Sequence, residues 1–190
     1  MFDICLIQET KKSLFDDNMI HILWGHKDVQ WVAKASDGLS GGLLMVWNTG
    51  LFNFKFSFTD EGFLGICVEW KGMVLYIVNV YSSCTHAGKK RLWESLSNFK
   101  LNNAKGEWCI GGDFKAVLHA SERKGCSATS RQTEISQFNH FVEMMEVVDV
   151  PVLGKKFTWF SADGNSMSRL DHFLVSEGFV EKGEVTGQWV

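Results

Sequence analysis

Alternating apolar and polar positions predict strands in the first half of the chain. Every second residue from Phe52 to Phe58 is Phe, with polar residues between, and this period of two is typical of a half-buried strand. Residues 41–47 are almost entirely apolar. Residues 66–70 and 74–80 flank Lys71-Gly72, a pair typical of a tight hairpin turn. Because little helix separates these strands, we expect antiparallel pairing.

Three segments carry the helical pattern. We expect a short helix with Ile20, Leu23 and Trp24 on one face, and a second from Lys89 to Phe99. The strongest helical pattern has apolar residues at three- and four-residue steps from Ile135 to Val148.

Further strands are expected near both ends of the chain and in its middle. Residues 2–7 and 108–110 are apolar runs typical of buried strands. We expect a terminal hairpin in which residues 157–161 pair with residues 170–175 around a turn at 162–165. The mixture indicates one domain over residues 1–190 of the α/β (α+β) class, a four-layer sandwich of two mainly antiparallel sheets flanked by helices.

Composition supports a packed core but gives no overall sign of a nucleic-acid partner. The chain has fifteen Phe and eight Trp, and its net charge is −3. Any DNA contact must come from local basic segments, namely Lys89–Arg91, Arg123-Lys124 or Lys155-Lys156. We expect these segments to be solvated surface.

Cysteine usage and hydropathy bear on the compartment. The five cysteines are widely spaced, and no CxxC pair or His/Cys ligand cluster is present in the sequence. A reducing environment is the best interpretation. No signal peptide and no membrane-spanning run is visible in this sequence. We expect an intracellular protein, nuclear or cytoplasmic, that is not secreted and has no membrane partner or obligate protein partner.

Acidic residues follow or lie within several apolar runs. Glu9 follows the apolar residues 4–7, and Asp113 follows Ile110-Gly111-Gly112. Asp171 lies within the run 169–174. Side chains at strand ends can converge at one edge of a sheet, where carboxylate oxygens can hold Mg²⁺. For any one of these acids alone, the start of a loop is the better interpretation.

Four segments in order resemble the motifs of one family. Ile7–Lys11 resembles the metal-ligand motif of the endonuclease/exonuclease/phosphatase superfamily, which includes apurinic endonucleases and DNase I. Asn79–Ser82 resembles its active-site tyrosine segment, Gly111–Phe114 its Gly-Asp-Phe-Asn motif, and Ser168–Leu174 its late Arg-Ile-Asp segment. The resemblance covers nearly the whole chain and implies a DNase I-like fold.

Two further segments, Val148–Pro151 and Phe157–Trp159, resemble the endonuclease domain of plant non-LTR (LINE-type) retrotransposons. That domain nicks DNA in a Mg²⁺-dependent reaction that supplies the primer for reverse transcription. DNA is therefore the partner that the resemblance implies, and Mg²⁺ the cofactor.

The resemblance also implies roles for individual residues. Glu9 would bind Mg²⁺, Asp113 would orient or deprotonate the attacking water, and the Tyr81 hydroxyl would donate to the phosphate. Asp171 would hold a histidine beside the phosphate. For Tyr81 a half-buried structural role in the sheet is the alternative.

Thr158 and Lys11 are further candidates for binding phosphate or DNA. Both lie in segments that carry the resemblance.

This sequence departs from the family pattern in three ways. Relative to the family, it begins after the first strand, which ends in a supporting asparagine. It also ends before the last strand, where the closing Ser-Asp-His segment supplies the catalytic histidine. His172 is no substitute, because neighbouring strand residues point to opposite faces. Lys115 stands where the motif has Asn, and its ammonium either competes with Mg²⁺ or extends to solvent.

These departures favour a catalytically impaired endonuclease domain. Two alternatives remain at this point. The chain could still cleave DNA or another phosphodiester, or it could be a nucleic-acid or partner-binding remnant without catalysis.

Overall fold

The computed structural model describes residues 3–36, 38, 40–103, 105–125, 132–183, 185 and 187–189. In chain order the strands are β1 (Ile4–Ile7), β2 (Val29–Lys34), β3 (Leu43–Asn48), β4 (Asn53–Asp60), β5 (Phe63–Trp70), β6 (Met73–Tyr81), β7 (Glu107–Asp113), β8 (Arg123–Lys124), β9 (Val148–Asp149), β10 (Val152–Leu153), β11 (Trp159–Phe160), β12 (Met167–Ser168), β13 (Asp171–Val175) and β14 (Gln188–Trp189). The helices are α1 (Asp17–Trp24), α2 (His86–Asn102), α3 (Gln132–Met144) and α4 (Glu177–Gly183), with a short 3-10 helix at Ala120–Glu122.

Two sheets and three helices form four layers. A three-stranded sheet in the order β1-β3-β2 packs against a six-stranded sheet in the order β4-β5-β6-β7-β13-β9, with Trp47 and Ile77 in the core between them. Helices α2 and α3 cover the other face of the larger sheet through Leu96 and Phe138, and α1 covers the smaller sheet through Ile20. Burial of these apolar faces drives the stacking. The expected mixed α/β sandwich is confirmed.

Pairing in the first half of the chain is as the sequence predicts. Strands β4, β5 and β6 pair antiparallel in succession. Lys71 and Gly72 connect β5 to β6 with φ angles of 48° and 74°, and two consecutive left-handed residues are typical of a type I′ turn. Strand β7 pairs with β6 in parallel, which is possible because α2 provides the crossover between them.

The burial expected for β4 is wrong in part. Phe54 is 36% exposed and Phe56 42% exposed, because β4 lies at the edge of the larger sheet and the register shifts between these two residues. Phe58 packs against the core by stacking on Phe99, with 4.0 Å between ring centroids.

Two other expectations need correction. The terminal hairpin consists of β11 and β12, whereas β13 (171–175) joins the larger sheet between β7 and β9. Helix α3 ends at Met144, Glu146 takes a positive φ of 47°, and Val148 lies in β9. The helical spacing of Val148 is therefore coincidental.

No helix among the described residues combines the length and apolar character that crossing a membrane requires.

Gly112 permits the close approach of β6 and β7. Its φ is 136°, and a Cβ there would lie 2.1 Å from the Val80 carbonyl oxygen. We expect Gly112→Ala to lower the free energy of unfolding by about 2–4 kcal/mol, because it adds both a backbone clash and φ strain. Urea unfolding measures the change. Gly164→Ala is the control, since Gly164 has a φ of 71° with open space around it; equal losses in both variants would contradict this expectation.

Candidate active site

Three strands of the larger sheet bring Tyr81, Asp113 and Asp171 into one row. The register pairs Asp113 with Tyr81 on β6 and with Asp171 on β13. Directly paired residues on adjacent strands point to the same face, with strands roughly 5 Å apart. Residues that are far apart in the sequence thus lie side by side at one rim of the sandwich.

Glu9 reaches this row from the smaller sheet. It follows β1, is exposed, and has a φ of 51°. The Tyr81 hydroxyl donates a hydrogen bond to its carboxylate. The two sheets therefore meet at a carboxylate–phenol contact at this rim.

A buried asparagine fixes the relation of the two sheets beneath that contact. The Asn79 amide donates to the Ile7 carbonyl at 3.0 Å and the Leu44 carbonyl at 3.1 Å, and it accepts from Gln8 Nε2 at 2.5 Å. Asn79 lies two residues before Tyr81 and so shares its face of β6. This role of Asn79 was not predicted from the sequence, although a lone amide in a run of apolar strand residues indicates a buried hydrogen-bonding position.

The Lys115 side chain lies in the site and does not extend to solvent. Its Nζ is 3.2 Å from the Tyr81 hydroxyl, 4.2 Å from the centre of the Tyr81 ring and 4.0 Å from Asp113 Oδ2. It also lies 3.5 Å from the Cys84 sulfur. These contacts place a positive charge beside Asp113 and Tyr81.

Buried ion pairs hold the backbone at Lys115. Its carbonyl accepts a hydrogen bond from Lys89 Nζ at 2.6 Å and from Arg123 Nη2 at 3.5 Å. Glu134 pairs with both of these cations. Because Lys89 is buried and the Arg123 side chain is 17% exposed, the expectation of solvated surface is wrong for them. Lys155 and Lys156 are exposed, as expected.

These residues surround a cleft of about 470 Å³, here called the main cleft. Its lining residues are Glu9, Tyr81, Cys84, Asp113, Lys115, Arg123, Trp159, Ser168 and Leu170. Of the candidate residues named from the sequence, five line it, namely Glu9, Tyr81, Asp113, Lys115 and Arg123, whereas Asp171 does not.

Burial and neighbouring charges shift the proton affinities in the main cleft. Burial raises the pKa of Asp113 to about 6; the Asp171 and Glu9 charges add to the rise, and the Lys115 amide and ammonium oppose it. Burial and the Glu9 contact raise the pKa of Tyr81. Burial lowers the pKa of Lys115, but its contacts with Tyr81 and Asp113 outweigh this and leave it raised. Lys115 therefore stays an ammonium at neutral pH.

The donor groups fit a divalent cation only in part. Carboxylate oxygens such as those of Glu9 and Asp113 suit Mg²⁺. The Lys115 ammonium, 4.0 Å from Asp113 Oδ2, occupies the space beside them with a like charge. The main cleft as arranged does not fit Mg²⁺ and this ammonium together.

Glu122, Asp149 and His172 form a second cluster that could hold a metal ion, since their ligand atoms lie within 4.8 Å of one another. The Arg169 guanidinium already donates to Glu122 at 2.8 Å and to both oxygens of Asp149 at 2.6 and 2.9 Å. Such bidentate pairing satisfies the carboxylates without a metal. The cluster is a buried ion-pair network beneath the β12–β13 connection.

Asp171 and His172 face opposite sides of β13. His172 is fully buried, where its ring nitrogens contact Asp149 and the Ala116 carbonyl at 3.2 Å each. Within the described part of the chain, no histidine hydrogen-bonds the Asp171 carboxylate.

Thr158 and Lys11 are not among the residues that line the main cleft. The Thr158 hydroxyl accepts hydrogen bonds from the backbone amides of Leu170 at 2.9 Å and Asp171 at 3.2 Å. It therefore positions the start of β13. Lys11 is exposed, and its amide donates to the Gly41 carbonyl at 3.0 Å.

The sequence profile of the Endonuclease/Exonuclease/phosphatase family matches residues 1–189. The chain belongs to this family. A comparison with curated protein sequences gave no match.

Several solved structures of DNA-processing proteins share the fold of this family member. The 3′ phosphatase NExo from Neisseria, bound to a product DNA hairpin, has a TM-score of 0.70 and 17% identity, over 94% of this chain and 78% of that chain. The AP endonuclease LMAP from Leishmania major has a TM-score of 0.66 and 16% identity, over 94% and 71%. The endonuclease domain of TRAS1, a telomere-specific non-LTR retrotransposon, has a TM-score of 0.65 and 12% identity, over 94% and 75%. These similarities show a shared DNase I-like fold.

The raised pKa of Asp113 predicts a gain in stability when its charge is removed. The pKa is about 6 in the folded protein and roughly 3.9 in an unfolded chain. The Asp113 carboxyl therefore binds its proton more tightly in the folded protein than in the unfolded chain. Its ionisation lowers the free energy of unfolding, beginning at about pH 4 and reaching the full effect above about pH 6.

We expect Asp113→Asn to raise the free energy of unfolding by about 1–3 kcal/mol at pH 7.5, with the gain disappearing near pH 4. Urea unfolding at both pH values tests this expectation. If Asp113→Asn were less stable than the wild type at pH 7.5, the ionised Asp113 would stabilise the fold, which would contradict this expectation.

Proposed function

We propose that this chain is a DNA endonuclease domain of a non-LTR retrotransposon, of the plant branch, with catalysis weakened by Lys115. One observation carries the proposal: Tyr81, Asp113 and Asp171 form one row across three strands, and Tyr81 and Asp113 line one cleft together with Glu9. The family membership supports phosphodiester cleavage, and the segments Val148–Pro151 and Phe157–Trp159 support the retrotransposon branch.

Each side chain has a role that its contacts support. A phosphodiester in the main cleft would replace Glu9 as the acceptor of the Tyr81 hydroxyl hydrogen bond and would receive charge stabilisation from the Lys115 ammonium. Asp113 would accept the proton of the attacking water, since a pKa of about 6 lies near neutral pH, where a general base works best. The Thr158 hydroxyl would keep Asp171 at the rim by accepting hydrogen bonds from the backbone amides of Leu170 and Asp171.

Members of this family typically depend on a divalent metal ion. We propose that Mg²⁺ is this cation and that the carboxylate oxygens of Glu9 would bind it. Because the Lys115 ammonium does not fit beside that cation, we propose that this chain binds Mg²⁺ weakly and cleaves slowly.

Nucleic-acid binding without catalysis is the second candidate. It is favoured by the position of Lys115, which places a permanent cation where a phosphate can bind. In that case DNA affinity would not depend on Mg²⁺ or on Asp113.

The compartment we propose is the nucleus or the cytoplasm. The four cysteines that the structure describes, Cys5, Cys67, Cys84 and Cys109, are free thiols, which is usual in a reducing environment. Cys126 lies outside the described residues.

Incubating excess protein with a labelled DNA duplex and Mg²⁺ tests the proposed function. We expect slow cleavage that leaves 5′-phosphate and 3′-hydroxyl ends and is lost in Asp113→Ala. Duplex RNA and a phosphoinositide serve as alternative phosphodiesters. Binding of DNA without cleavage would favour the second candidate, and cleavage of the phosphoinositide alone would refute the DNA proposal.

A further inference from the structure

A second cleft adjoins the main cleft on the far side of Lys115. Its volume is about 410 Å³. Lys34, Ser82 and Lys115 line it, together with the loop at Ser40–Gly42. Tyr81, Cys84 and Lys115 line both clefts. The two clefts are therefore contiguous, with the Lys115 ammonium between them.

The charges of the second cleft favour an anion. Lys34 and Lys115 are its cations, and Glu61 is the acidic residue in its lining. The Glu61 carboxylate is already paired in bidentate fashion with Arg91, at 3.1 Å to each oxygen. The main cleft, in contrast, contains the carboxylates of Glu9 and Asp113. The second cleft is thus the more positive of the two.

The Asp60 carboxylate attracts the Lys34 ammonium, but its hydrogen bonds go to other groups. The carboxylate accepts hydrogen bonds from the Ser95 hydroxyl and the Glu61 amide. Lys34 Nζ donates to the Asp60 backbone carbonyl. An ammonium has three donors, so the Lys34 ammonium keeps capacity for a ligand oxygen.

Ser82 adds an unused donor. It is 1% exposed, and within the described part of the chain its hydroxyl has no hydrogen-bond partner. The backbone amide of Ser82 donates to the Asp113 carbonyl at 2.8 Å, which fixes its position beside Lys115. Buried hydroxyls are usually paired, and rotation about one side-chain bond would let this one donate to an anion in the cleft.

We propose that the second cleft binds the phosphate of the nucleotide next to the cleaved bond, between the ammonium groups of Lys34 and Lys115 and with the Ser82 hydroxyl as a third donor. The inference rests on the proposed function, because it assigns successive phosphates of one DNA strand to the two clefts. A nucleic-acid strand offers phosphates in series, which suits two contiguous clefts that share a cation.

Lys34→Gln is the first test. It removes one phosphate contact, so we expect affinity for a short labelled DNA duplex to fall about tenfold and the slope of log affinity against log salt to fall by about one. The control is Lys55→Gln, which makes the same change of charge at an exposed residue of the edge strand β4 that pairs with Glu69. Equal losses in both variants would mean that the effect is long-range charge, and would overturn the proposal.

Ser82→Ala is the second test, and it separates binding from folding. Since the hydroxyl has no partner among the described residues, its removal should leave the melting temperature unchanged or higher. A merely structural Ser82 would lower the melting temperature or leave DNA affinity intact. We expect weaker DNA binding by about tenfold with no loss of stability. Ser57→Ala, at an exposed residue of β4, is the matched control.

Short oligonucleotides locate the contact. Thymidine dinucleotide has one phosphate and the trinucleotide has two, so the wild type should bind the trinucleotide more tightly in an NMR titration. Lys34→Gln and Ser82→Ala should lose this difference. If the wild type binds no DNA, the proposed function fails as well. If it binds DNA and both variants keep the gain from the second phosphate, the second-cleft proposal alone fails.

Discussion

Replacing Arg169 with Ala should lower the free energy of unfolding by about 3–5 kcal/mol, because it leaves buried carboxylates without a partner. Arg169 is 5% exposed, and its guanidinium donates hydrogen bonds to Glu122, Asp149, the Val150 carbonyl and Gln188. These contacts join the 3-10 helix, β9 and β14 to the segment that begins β13. Urea unfolding at pH 7 measures the loss.

The pH dependence of that loss has a defined sign. Burial raises the pKa of Asp149, but the contacts with His172 and Arg169 outweigh it and leave the pKa below its usual value. The ion pair of Asp149 therefore stabilises the fold at pH values above the unfolded pKa of roughly 3.9. This stabilisation is lost as the pH falls through the pKa of Asp149 in the folded protein. The deficit of Arg169→Ala should shrink in acid.

Arg91→Ala is the matched control. Arg91 also pairs with one carboxylate in bidentate fashion, but its side chain is 58% exposed. Solvent screens such pairs, so we expect little change in stability. A loss in Arg169→Ala no larger than that in Arg91→Ala would contradict the view that the buried network supports the site.

Lys115→Asn should raise Mg²⁺ affinity at least about tenfold. Two unit charges near 4 Å interact by about 4 kcal/mol at an effective dielectric near 20, and the mobility of the ammonium reduces this repulsion. Calorimetric titration with Mg²⁺, or the electron-spin signal of bound Mn²⁺, measures the change without any need for cleavage.

The control for this substitution is Lys124→Asn, which removes the same charge from an exposed residue outside the cleft lining. Equal gains in the two variants, or none in Lys115→Asn, would show that the ammonium does not compete with the cation.

Local patterns predicted those parts of the fold that depend on neighbouring residues. The β5–β6 hairpin follows from two apolar runs around Lys71-Gly72, and helix α2 from the spacing of Leu92 and Leu96. The second strand of the terminal hairpin could not be assigned in the same way. The pattern of residues 171–175 suits pairing with residues 157–161 or with β7, and the structure pairs them with the open edge of β7.

The candidate site was predictable as a set of motifs but not as a set of contacts. Four motifs indicated Glu9, Tyr81, Asp113 and Asp171, and the structure places them at one rim. The burial of Lys89 and Arg123 depends on Glu134, which is far from Lys89 in the sequence and whose position is set by helix packing. A basic run looks solvated until its buried partner is known.

Nicking of supercoiled plasmid by excess unmodified protein, with and without Mg²⁺, tests whether the main cleft cleaves phosphodiesters. We expect slow conversion to the open circular form that requires Mg²⁺ and is abolished in Asp113→Ala. Conversion as fast as that by an active DNase I-like nuclease would contradict the proposed weakening by Lys115. Nicking that survives in Asp113→Ala, or no nicking at all, would contradict the assignment of this cleft as a phosphodiester-cleaving site.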